Sequence, residues 1–169
     1  MNCFITFRTY GTWLHGDERG SVDRTSNQVG EPMIEADERL KNYRRSLLRS
    51  EVALLDDQCR ACVDATVREV AAHRNWAILA LNVLANHVHV VVSVPESTPP
   101  EKVMSDFKAW ATRRLREQNL VPPGVRVWTN HGSTRYLNDA QAVQAACHYV
   151  THRQHDEPEP NEPEASATG

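Results

Sequence analysis

Asn86-His87-Val88-His89-Val90-Val91-Val92 reads as a strand: β-branched residues in a near-continuous run behind a turn-forming asparagine. Strand side chains alternate between faces, so His87 and His89 point together while Val88, Val90 and Val92 point to the opposite layer. Trp76 to Val83 reads as a preceding strand, joined through a tight turn at Ala85-Asn86. Two imidazoles side by side on a rigid strand suit a divalent metal whose other ligands arrive from elsewhere. The competing reading is a pair of histidines on a solvated face.

Working outward, Asn2 to Thr9 alternates as a first strand, and Asp56 is placed to cap a helix running to about Arg74. Thr98-Pro99-Pro100-Glu101 combines a capping box with a proline in the first turn. The helix it opens runs to about Gln118, with Val103, Phe107, Trp110 and Leu115 inward. Val125 to Thr129 and Thr134 to Leu137 read as two short strands around Asn130-His131-Gly132, and Asn138 caps a last helix from Asp139 to about Arg153. Apart from one extra short strand, the order is the βαββαβ of an α+β, ferredoxin-like fold: an antiparallel sheet with helices on one face. The valines then meet those helices, and the last helix is left to cross the histidine face.

The chain has the length of one domain, 1–155, carrying an insertion at 11–50 with little core of its own. Five of the 22 acidic residues lie after Arg153, leaving 17 against 19 basic ones, a balance compatible with nucleic acid without arguing for it. The Glu-Pro-rich 156–169 segment cannot bury a core and is expected to be a disordered acidic tail. No apolar run approaches the ~20 residues of a membrane span, and the N-terminus lacks a secretory leader, so a cytoplasmic protein is expected. Cys59-x-x-Cys62 has no second close pair, and Val63, Thr66, Val67 and Val70 continue its apolar stripe, which favours buried helix cysteines over a metal or redox site.

The last helix carries Tyr149, with Ala142, Ala145 and Ala146 on its side at helical spacing. A phenol oxygen beside a metal that polarises a phosphodiester can attack phosphorus and hold the cut end covalently. The plainer alternative is a tyrosine packed by its ring with the hydroxyl in water. Two histidines are too few for Mg²⁺ or Mn²⁺ unless water, phosphate oxygens and another side chain contribute. His152 and Gln154 are the candidates near Tyr149; on an ideal helix Gln154 lies about 140° from the tyrosine's face and His152 lies nearer.

Taken together, His87-Val88-His89 and Tyr149, 60 residues after His89, resemble the single-tyrosine HUH transposases of the small insertion-sequence type, including the REP-associated tyrosine transposases. Phe4 to Thr9, Asn82 to Val92, Asp106 to Leu115, Trp128 with Gly132 to Leu137, and Tyr149-Val150 with Gln154 carry the likeness across most of the chain. The resemblance implies Mg²⁺ or Mn²⁺ on His87, His89 and Gln154, and a 5′-phosphotyrosine formed by Tyr149 with single-stranded, hairpin-forming DNA. It further implies a homodimer. The third ligand departs from the pattern: better-known members place glutamine or asparagine four residues after the tyrosine, where Arg153 stands.

Lys108, Arg113 and Arg114 make a basic helix side suited to phosphates, and Arg8 and Arg135 flank the histidine face. Trp13, Trp110 and Trp128 are either base-stacking platforms or core residues. A histidine-triad hydrolase would need another histidine at position 91, which is Val91, and a zinc deaminase would need motifs this chain lacks. The remaining alternative is a domesticated domain that binds nucleic acid without cutting it.

Overall fold

The computed structural model describes residues 1–11 and 54–152. The 11–50 insertion beyond Gly11, Trp13, Gln154 and the acidic tail lie outside the described residues. Strands β1 (Asn2–Thr9), β2 (Ala77–Val83), β3 (His87–Ser93) and β4 (Trp128–Leu137) alternate with helices α1 (Asp57–His73), α2 (Pro100–Glu117) and α3 (Ala140–His152). The strands form an antiparallel sheet in the order β2-β3-β1-β4, the ferredoxin-like arrangement expected from the sequence. Among the described residues, no helix is long and apolar enough to cross a membrane.

The parity of β3 divides the core. Val88, Val90 and Val92 are fully buried with Ile5, Phe7, Val63, Val103 and Phe107, between the sheet and the α1/α2 layer. On the other face, Val91 packs with Phe4, Ala80, Leu137, Ala146 and Val150, beneath α3. Asp56 caps α1 by accepting from the Cys59 amide at 2.8 Å. Cys59 and Cys62 are buried helix residues, and burial pushes the Cys59 thiol up to about 11, which leaves it an inert packing group.

Four local expectations are corrected. The Thr98 capping box does not form: Pro99 is the N-cap without a side-chain bond, and Glu101 instead accepts from the Thr134 hydroxyl at 2.8 Å. Trp110 is 40 % exposed, whereas Val103, Phe107 and Leu115 are buried as expected. It lies one step around α2 from the Phe107–Ala111 ridge, beneath the Arg113 guanidinium. Asp139, not Asn138, caps α3 by accepting from the Ala142 amide at 2.7 Å.

Lastly, 128–137 is one strand rather than part of two. The pairing passes from Phe7↔Gly132 to Thr9↔Trp128, so two extra residues bulge from β4. Lys108 gathers the loosened backbone, donating to the carbonyls of Thr129, Asn130 and His131 at 3.1, 3.4 and 3.1 Å. Gly132 is required next to this bulge by close approach. A Cβ there would stand 2.4 Å from the Thr6 carbonyl oxygen and 2.5 Å from Met104 Sδ. Gly132→Ala is expected to destabilise the fold by about 1–3 kcal/mol, read as a lower denaturant midpoint; an unchanged midpoint would mean the strands do not meet this closely.

Candidate active site

β3 is pinned between β1 and β2, opposite Arg8 and Thr6 on one side and Asn82 on the other. That register fixes both imidazoles. His87 and His89 have ring centroids 4.5 Å apart and are 5 % and 3 % exposed, so they are enclosed rather than solvated. α3 crosses this face as expected and brings the Tyr149 ring to 5.5 Å from His89, edge-on. Phe4 lies between strand and helix, 5.4 Å from His89 and 6.0 Å from Tyr149. All three principal sequence candidates therefore meet within one chain.

The partner sets the protonated ring nitrogen of His87, whereas the Thr6 hydroxyl can serve either tautomer of His89. Asn86 Oδ1 is a carbonyl oxygen and only accepts, so at 2.5 Å His87 Nδ1–H donates to it, and in the neutral ring Nε2 keeps the lone pair. His89 Nδ1 lies 2.8 Å from the Thr6 hydroxyl oxygen; with Nδ1–H donating, it too presents Nε2 as a base or ligand. Burial, then the charges of His87 and Arg8, push His89 down to about 3. It is neutral at physiological pH, the state that ligates metal.

The folded-state value lies below the ordinary 6.5, so below pH ~6.5 the unfolded chain takes up a proton the folded chain refuses. Stability is expected to be fully present above that pH and to fall by about 1.4 kcal/mol per unit on acidification toward pH 3. Denaturant titrations of wild type and His89→Gln read this; parallel pH profiles would contradict the burial cause.

The donor set fits a divalent ion in part: two enclosed imidazoles side by side, that of His89 neutral, with remaining positions to be filled by water, phosphate oxygens or a further side chain. Among the described residues there is no group of three or more His, Cys, Asp and Glu that could hold a metal. His152 stacks on His148 at 4.1 Å, its Nδ1 donating to the His148 carbonyl at 3.1 Å, and is thus held to its own helix. Gln154 lies outside the described residues.

The five basic candidates divide between faces. Arg8 and Arg135 share the histidine face through their register with His87 and Phe4, and the Arg135 guanidinium stands 5.5 Å over the Phe4 ring. Lys108, Arg113 and Arg114 lie on α2, behind the sheet. There Lys108 closes the bulge, Arg113 pairs with Glu117 at 2.8 Å, and Arg114 donates to both Glu69 oxygens. Trp128 is buried and donates through its indole to the Lys108 carbonyl, which makes it a core residue.

Thr6, Asn82 and Asn86 were not singled out from sequence as site residues. The available signal was parity: Phe4, Thr6 and Arg8 alternate on β1, and the register with β3 turns that face onto the histidines.

Residues 40–152 match the family model described as "Transposase IS200 like". Among solved structures, a candidate transposase from Deinococcus radiodurans R1 superposes with a TM-score of 0.52 at 13 % identity, over 86 % of this chain and 85 % of that one. A REP-associated tyrosine transposase bound to a REP hairpin gives a TM-score of 0.46 at 12 % identity, over 88 % of this chain and 63 % of that one. No curated protein matches. With the ferredoxin-like sheet and the family match across most of its length, the chain belongs to the IS200-like transposases, of single-tyrosine HUH type.

Proposed function

We propose that this protein cleaves and rejoins single-stranded DNA through a 5′-phosphotyrosine on Tyr149, with Mg²⁺ or Mn²⁺ held by His87 and His89. The observation that carries the reading is the approach of the Tyr149 ring to 5.5 Å from His89, itself 4.5 Å from His87, inside a closed face of the sheet. The metal, when bound, supplies the charge that polarises a phosphodiester oxygen. The protein's part is to hold and aim the reactants. The Tyr149 oxygen forms a bond to phosphorus as the bond from phosphorus to the 3′ oxygen breaks. The phenol proton passes to solvent, and the departing oxygen leaves as a 3′-hydroxyl. The phosphotyrosine ester keeps the energy of the broken bond, so attack by a 3′-hydroxyl rejoins DNA without a nucleotide cofactor.

Gln154 completes the metal's protein ligands, and Arg8 and Arg135 contact the DNA backbone along the histidine face. The paired arginines of α2 are placed to contact DNA only after giving up their carboxylate partners. The DNA is hairpin-forming and the protein a homodimer, both in keeping with the family resemblance. Incubating the protein with a hairpin-bearing single-stranded oligonucleotide and Mn²⁺ is expected to give a species that survives denaturing electrophoresis. Retention of the DNA without any such species would favour the non-cutting, domesticated domain.

A further inference from the structure

We propose that Asn82 is a positioning residue for the nucleophile, its side-chain amide fixing the turn of α3 that carries Tyr149 against the strand that carries His89. The inference rests on the cleavage reading above. Asn82 stands opposite His89 in the β2–β3 register, so the two side chains share a face. Its Nδ2 donates to the Val150 carbonyl at 3.2 Å, one residue past Tyr149. That carbonyl lies in the final described turn of α3, and the sheet supplies it with a side-chain donor.

The apolar anchor of α3 is thin. Among its described residues only Ala146 and Val150 are buried, with Ala142, Val143, Cys147 and Tyr149 partly buried beside them, against six buried along α2 and seven along α1. Apolar contact is non-directional: it holds the helix to the sheet while leaving its rotation weakly specified. A directed hydrogen bond at Val150 fixes that rotation next to the phenol. A misplacement of about 1 Å at a reacting group costs on the order of a hundredfold in rate, so a contact of ordinary strength has a large effect on chemistry here. Asn82 acts through the helix and does not touch the reacting atoms.

The test compares wild type with Asn82→Ala, Asn82→Asp and Asn82→Gln in single-turnover adduct formation at saturating oligonucleotide and Mn²⁺. Asn82→Asp keeps the shape while removing the donor, which covers the case in which Asn82→Ala folds poorly. Both are expected to slow the adduct step about tenfold or more, with oligonucleotide affinity, Mn²⁺ affinity and thermal midpoint unchanged. Asn82→Gln, which retains an amide donor, is expected to recover part of the rate. An unimpaired Asn82→Asp beside an active wild type overturns the positioning role alone. A loss traced to weaker Mn²⁺ binding overturns it too, making Asn82 a ligand. A wild type that forms no adduct overturns the cleavage reading itself, and this role with it.

Discussion

Tyr149→Phe is expected to abolish the covalent protein–DNA adduct, a loss of about a thousandfold or more in cleavage, because it removes the one atom proposed to bond phosphorus. The same substitution should leave the fold and DNA affinity intact. The ring makes the contacts with Phe4 and His89, and phenylalanine preserves the ring. That combination separates a nucleophile from a packing residue. An adduct that persists in Tyr149→Phe would remove the assignment, and a large fall in thermal midpoint would point to a structural hydroxyl.

His87→Ala combined with His89→Ala is expected to abolish metal-stimulated cleavage, by about a hundredfold or more, together with measurable Mn²⁺ binding in calorimetry. The two histidines differ in their surroundings. His89 is paired with the buried Thr6 hydroxyl, so His89→Ala strands that group at a cost of about 1–3 kcal/mol. His87 bonds to the adjacent Asn86 side chain, which is partly exposed and turns to water more readily. His87→Ala alone should therefore lose metal response with the smaller stability change. Unaltered Mn²⁺ affinity in the double variant would move the metal elsewhere.

What was legible in the sequence is what local chemistry dictates. The period-two pattern of His87 to Val92 placed valines under helices and histidines opposite, and the Asp56 cap set the start of α1. The meeting of Tyr149 with the histidine pair followed from the order of elements, since a helix after the fourth strand has one uncovered face to cross. The misreadings arose where distant residues override local signals. Asn130-His131-Gly132 has turn chemistry and read as a break, yet Lys108, from another element, collects its carbonyls and keeps the strand continuous. Glu101 left the capping box because Thr134, 33 residues on, offers it a hydroxyl.

The same limit applied to the site. Lys108, Arg113 and Arg114 form a basic stripe in sequence, but the carbonyl partners of Lys108 and the Glu69 partner of Arg114 come from other elements, while Arg113 pairs with Glu117 within α2. Asn82 and Thr6 are unremarkable polar strand residues until the register sets each beside His89. Ala146 lies on the side of α3 that carries Tyr149, as the helical spacing implied, and is buried there, whereas Ala145, read onto the same side, is exposed.

The most direct measurement is mass spectrometry of the proteolysed protein–oligonucleotide adduct formed in Mn²⁺. The account predicts a nucleotide fragment attached through its 5′ phosphate to Tyr149, with a 3′-hydroxyl on the released strand. Attachment at another residue, or cleavage products bearing a 3′ phosphate, would contradict it.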